Sequence, residues 1–256
     1  MIIENKTVLD LISKMAEIEV NTKRYETDDE DPHIPRVTEV LSAMLHEDGL
    51  MSWSNGLGWK RISYRAFMRE AADKGTYSHL AIEKFLKNGF VDLEEMNIPE
   101  RIYPVVQSCM DGFMLWWKQL HTKYKTVEIV FLEETMIHSY FRGTCDCLMK
   151  LDGEYYLIDF KTSNHMSYNY PLQLAAYRFL LRELKGIRLS GATVLIVSKT
   201  DHDYKSYDLD FNNKEHVTFI EDCEQTFLTL ASAYKMRLYT TEEYHKVYGI
   251  EKYKKK

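Results

Sequence analysis

Residues 141–163 read FRGTCDCLMKLDGEYYLIDFKTS, and the fold turns on how this stretch is paired. Two runs rich in apolar, β-branched and aromatic residues flank Asp152-Gly153, a dipeptide suited to the type I′ turn, whose two central residues both need positive φ. A hairpin centred there sets Leu151 against Glu154 and, moving outward, Asp146 against Asp159 and Thr144 against Lys161. Side chains alternate along a strand, so Asp159 and Lys161 share a face. Cys145 and Cys147 share the opposite one and are expected to be core residues.

Directly opposed residues place their Cβ atoms roughly 4.5–5.5 Å apart, where like charges destabilise the pair. Partial burial weakens screening and sharpens the conflict. One carboxylate can escape by keeping its proton at a raised pKa. The other escape is a bound cation, since Mg²⁺-like ions take carboxylate, water and phosphate oxygens. Two acids and a lysine then suit metal-assisted phosphodiester hydrolysis, with the lysine orienting water or stabilising developing charge. The hairpin alone also fits a bland arrangement, in which Asp146 and Lys161 form a cross-strand ion pair and Asp159 sits at a strand end.

Outward from the hairpin the chain changes character. Residues 125–140 form a third strand-like run before it, and ATVLIVSK (192–199) is a nearly continuous apolar run suited to a strand buried on both faces. Pro171 opens a helix that Gly186 stops. KSYDLDF (205–211) is a further short strand, and 214–238 a last helix. The N-terminal half reads as helical: 7–20, 37–45, 60–87 with Gly75 as a break or close-packing point, and 100–122. The acidic stretch NTKRYETDDEDPHIP and SNGLG (54–58) have loop composition. The whole is an α/β protein with a mixed sheet and a helical N-terminal elaboration. It is read as one domain over 1–256: a mainly helical region to 124, an α/β core over 125–240, and a basic tail over 241–256.

Composition narrows the class. With 45% hydrophobic and 28% charged residues the chain is an ordinary globular protein, and no apolar run approaches a membrane span. MIIENKTVLDLISKM lacks the basic start and apolar core of a signal peptide, which predicts an intracellular, cytoplasmic protein. Cys109, Cys145, Cys147 and Cys223 show no zinc or disulfide spacing. A net charge of −6 argues against wholesale coating of nucleic acid but not against a local basic groove. Lys60, Arg61, Arg65, Arg69 and Lys74, then Lys118, Lys123 and Lys125, are candidates for one.

Gly143-Thr144-Cys145-Asp146 followed by Asp159-Phe160-Lys161-Thr162-Ser163 resembles the signature of the PD-(D/E)XK nucleases. More narrowly it is similar to the RecB-type exonuclease branch, which includes phage and mitochondrial DNA-processing enzymes. Three further stretches carry that likeness in the right order: PRVTEVLSAM with Trp53, Gly75-Thr76-Tyr77-Ser78-His79 with Glu83, and Gln173-Leu174-Ala175-Ala176-Tyr177. The resemblance implies a restriction-endonuclease-like αβββαβ core. It implies Mg²⁺ or Mn²⁺ held by Asp146, Asp159, the Phe160 carbonyl and His79, with Lys161 as the catalytic lysine. Gln173 and Tyr177 would support the site or contact a DNA end. Relatives with an iron–sulfur cluster use a C-terminal cysteine group, and here that region holds only Cys223, so no cluster is expected.

His79 and Glu83, like Gln173 and Tyr177, stand at i and i+4, so each pair can address one point. Of Glu133 and Glu134, adjacent on a strand, only one can face the site. The expected activity is a metal-dependent deoxyribonuclease working from DNA ends in replication, recombination or repair, with any unwinding left to a helicase or recombination partner. A structure-specific or restriction-like endonuclease, or an inactive nucleic-acid-binding protein, are the alternatives.

Overall fold

A five-stranded mixed sheet in the order β1-β2-β3-β4-β5 organises the chain. The computed structural model describes residues 34–45 and 50–248; the helix expected at 7–20 and most of the acidic stretch after it lie outside these residues. Helices α1 (Val37–Met44), α2 (Leu50–Trp59), α3 (Tyr64–Asn88) and α4 (Tyr103–Lys123) come first. Strands β1 (Val127–Ile137), β2 (Arg142–Leu151) and β3 (Glu154–Lys161) follow. Then come α5 (Asn169–Lys185), β4 (Gly191–Val197), β5 (Tyr204–Asp210) and α6 (Lys214–Tyr248). The expected α/β class, with a restriction-endonuclease-like core and helices at the N-terminal side, is what the chain adopts.

Local chemistry explains the sheet. Asp152 and Gly153 both take positive φ, 49° and 90°, so the tight turn forms as its sequence demands. β1–β2 and β2–β3 pair antiparallel. β3 pairs parallel with β4, and α5 makes the crossover between them. Every residue of β4 is buried, as expected for a strand covered on both faces. One core packs α1, α5 and α6 against the sheet through Phe141, Leu148, Leu180 and Phe227. The other packs α3 and α4 through Ile82, Phe113, Met149 and Ile158.

Four expectations are corrected. SNGLG is not a loop: it lies inside α2, where buried Leu57 anchors a glycine-containing helix. Gly75, expected as a break or a close-packing point, does not break α3; a Cβ there would stand 3.6 Å from Thr162 Oγ1, in ordinary contact with the chain just after β3. The last helix runs on to Tyr248, past the expected end at 238. Cys145 and Cys147 are both buried but enter different cores, Cys145 beside α5 and Cys147 beside α4. Between them the β1–β2 pairing passes over Glu133 and Asp146, and Glu133 has φ 49°, outside the extended region. The kink there switches which face the strand addresses.

Candidate active site

The hairpin register holds from Leu151↔Glu154 to Cys147↔Ile158 and ends there. Asp146 and Asp159, expected as the next pair, therefore stand where the strands part. Asp146 Oδ2 instead accepts a 2.8 Å hydrogen bond from the Phe160 amide. Thr144, expected opposite Lys161, has its hydroxyl 2.9 Å from that of Thr135 on β1. The strands separate because β3 continues in parallel pairing with β4 through Lys161, while β2 follows β1. This fork opens the sheet at the acids.

Lys161 Nζ lies 2.5 Å from Asp159 Oδ2, so the lysine pairs with its neighbour on β3 and not across to Asp146. Asp159 is fully buried, and its Oδ1 has no hydrogen-bond partner. Burial pushes its carboxyl up to about 6, only partly opposed by Lys161, and the charge of Asp146 adds to the rise. Burial also raises Asp146, against the pull of Lys161 and the Phe160 amide. For Lys161, burial favours the neutral amine, but Asp159 and Asp146 outweigh it and hold the ammonium above its ordinary range.

Helix α3 brings His79 to this fork. Its Nδ1 stands 3.7 Å from Asp146 Oδ2. Burial, then the Lys161 charge, lower its pKa to about 4, so the imidazole is neutral and able to act as a ligand. The Phe160 ring lies edge-on to Phe113 at 5.9 Å, to His79 at 6.3 Å and to Trp116 at 6.4 Å, which anchors the strand whose backbone serves the site.

Glu133 answers the choice left open between the two adjacent glutamates. Its positive φ turns it toward the fork, while Glu134 reaches Lys185 at 2.6 Å instead. His79, Glu133 and Asp146 offer ligand atoms all within 4.8 Å of one another. Burial, then the charges of Asp146 and Glu83, raise the Glu133 carboxyl to about 7. Glu83 itself is held by Lys87 one turn on. No short motif marks Glu133; the kink in β1 that exposes its role is a tertiary feature.

Gln173 and Tyr177 sit on α5, both buried, with Gln173 Nε2 donating to Tyr177 Oη at 2.8 Å. Tyr177 packs onto Gly143, where a Cβ would come within 2.6 Å of the ring. Together with His79, Asp146 and Lys161 they line a cleft of about 400 Å³. Arg36 and Arg142 line it too, joined where the Arg142 amide bonds the Pro35 carbonyl at 2.9 Å. Neither arginine was singled out in the sequence, although each adjoins a motif that was.

A family model for the PD-(D/E)XK nuclease superfamily matches residues 57–246, most of the chain and all of this site but Arg36, Val37 and Thr38. The chain belongs to that superfamily. Membership implies a metal-dependent nuclease with DNA as its substrate. No curated protein matches the sequence. Among solved structures, the crystal structure of SSO0001 is similar at 10% identity over 90% of this chain and 87% of that one; its TM-score of 0.30 supports no argument beyond that.

The nuclease's donor set fits a divalent cation. Carboxylate and carbonyl oxygens with one neutral imidazole suit Mg²⁺ or Mn²⁺, and Asp159 leaves a buried oxygen without a partner. No helix among the described residues is long and apolar enough to cross a membrane.

Proposed function

We propose that this nuclease is a Mg²⁺- or Mn²⁺-dependent DNA exonuclease of the RecB-type branch. The observation that carries the reading is the convergence of four stretches remote in sequence on one cleft. Arg36 and Val37 from the N-terminal motif, His79 from α3, Asp146 and Lys161 from the hairpin, and Gln173 and Tyr177 from α5 all line it. A bland cross-strand ion pair between Asp146 and Lys161 would require none of the other residues, and Lys161 pairs with Asp159 instead.

In this reading Asp146, Asp159, the Phe160 carbonyl, His79 and Glu133 hold the cation. When bound, it supplies Lewis acidity toward the scissile phosphate and makes a bound water more acidic. Lys161, kept charged by its two acidic neighbours, stabilises negative charge on the phosphate or orients the attacking water. Arg36 and Arg142 offer guanidinium groups to phosphate oxygens at the cleft wall. Gln173 fixes the Tyr177 hydroxyl, and this pair positions the strand end or the acids beside it. Phage-type or mitochondrial-type DNA processing, with a helicase or recombination partner opening the duplex, is the setting that goes with this reading.

End-labelled linear DNA and covalently closed circles, each with Mg²⁺, Mn²⁺ or EDTA, test the reading. Label should be lost progressively from linear ends only when metal is present, and closed circles should survive. Cutting of closed circles would replace the exonuclease with an endonuclease on the same chemistry. Inertness on every substrate would leave a nucleic-acid-binding protein in its place.

A further inference from the structure

Between Leu50 and Arg69 the chain carries Lys60, Arg61, Arg65 and Arg69 and no acidic residue, within a protein of net charge −6. Residues 58–69 are exposed throughout, among them the rings of Trp59 (90%), Tyr64 (39%) and Phe67 (43%). None of the four cations forms an ion pair among the described residues. So concentrated a charge, left without partners on the protein, is complementary to a polyanion. Interleaved rings add what a polynucleotide alone among polyanions can use, a face for stacking unpaired bases.

Position connects this segment to the active site. Phe67, Ala71 and Lys74 form one wall of a cleft of about 660 Å³. Its far wall includes Ser163 and His165, which follow Lys161 directly, and Lys199 and Lys205 beside them. Three acids also line the cleft: Glu70, paired with Lys74 at 2.6 Å and Arg101 at 4.0 Å, and Asp201 and Asp203 on the far wall. Phe67 and His79 belong to one helix, separated by roughly 18 Å at 1.5 Å per residue, about five nucleotides at a stacked spacing of 3.4 Å. A bilayer would also attract a basic aromatic helix, but its flat surface does not enter the cleft beside it.

We infer that the exposed segment from Trp59 to Arg69 and the adjoining cleft bind an unpaired strand of the DNA substrate, with arginines on phosphates and Phe67 against a base. The choice of DNA rests on the nuclease reading above; the binding itself does not require cleavage.

The test is equilibrium binding of a fluorescently labelled single-stranded oligonucleotide to the full chain in EDTA, read by anisotropy across a salt series. For an Arg65→Ala/Arg69→Ala variant, affinity should fall on the order of tenfold, and the slope of log K against log salt should shrink by about 1.4, the value for two lost phosphate contacts on a single strand. Phe67→Ala should weaken binding about fivefold or more, as expected for one stacked base. Lys214→Ala, an exposed cation at the start of α6, serves as the control and should bind as wild type. Circular dichroism of each variant checks that the helices remain.

Unchanged affinity and slope in the double variant would overturn the inference, as would an equal loss in the control. Loss of binding to anionic phospholipid vesicles with unchanged oligonucleotide binding would assign the segment to a membrane instead. If the chain shows no nuclease activity yet the variants lose oligonucleotide binding, the segment's role stands and the exonuclease reading falls. If cleavage is robust and the variants bind as wild type, the reverse holds.

Discussion

At the scale of single residues, the site is defined by carboxyl groups that burial has made reluctant to ionise. Asp159 is pushed up to about 6 and Glu133 to about 7, each well above an ordinary carboxylate. A raised acid pKa means that the folded state holds its proton more tightly than the unfolded state. The stability this brings is present below the unfolded pKa near 4 and is lost as pH rises through 6 to 7. Without metal, the thermal midpoint should therefore carry a falling component between about pH 4 and 7. Protons compete with a cation for the same oxygens, so the gain in midpoint on adding Mn²⁺ should be larger at pH 8 than at pH 5.5. Thermal scans in EDTA and in Mn²⁺ at both pH values decide this; an equal gain at both would argue against these acids as the ligands.

Lys161 provides a second residue-scale prediction. Its replacement by Ala removes the charge beside Asp159 and should lower cleavage by about 10²–10³-fold, the cost typical of one electrostatic stabiliser. Mn²⁺ binding, followed by thermal shift, should persist, because the proposed ligands remain. Cleavage equal to wild type would sink the proposed role of the lysine.

Among elements, what matters is how closely they approach. Gly143 lets β2 meet Tyr177 of α5, and Gly112 lets α4 meet the backbone before β5, where a Cβ would come within 2.2 Å of the Asp203 carbonyl oxygen. Backbone cannot swing aside as a flexible side chain can. Gly112→Ala should therefore destabilise the fold by about 1–3 kcal/mol, measurable by denaturant unfolding. Gly143→Ala strikes a ring that lines the catalytic cleft, so it should lower activity as well as stability. A Gly143→Ala protein with full activity would show that the Tyr177 position is not needed. The same scale explains Glu133: a kink in β1, not any sequence spacing, delivers it to the fork.

Across the whole molecule, charge and burial are distributed unevenly. A chain with net charge −6 places four cations without ion pairs among the described residues on one exposed segment that runs into α3, while His79, Glu133 and Asp146 converge at the fork. All four cysteines are free and buried, and burial raises the thiols of Cys145 and Cys147 well above their usual range. A thiol reagent should thus react slowly with the native protein and titrate all four cysteines after denaturation. Rapid native labelling of any of them would mean that the two cores open more readily than their packing suggests.

The sequence by itself determined most of the elements and their order, though not α2 or the length of α6, because most were set by local chemistry. The Asp-Gly turn, the apolar run of β4 and the alternation along β2 and β3 depend on neighbours a few residues away, so the hairpin register was readable as far as Cys147 and Ile158. The proposed site residues Asp146, Asp159, Lys161, His79, Gln173 and Tyr177 could be picked out too, the hairpin acids and lysine from their register and the others from the resemblance to a nuclease family. Tertiary structure alone decided where that register stops. β3 continues along β4 and β2 continues along β1, and where those long-range pairings carry each strand is invisible in either one. For the same reason it alone decided that Lys161 pairs with Asp159, that Glu133 and not Glu134 turns inward, and that Arg36 and Arg142 meet at the cleft. These are contacts between segments far apart in the chain, and no local propensity encodes them.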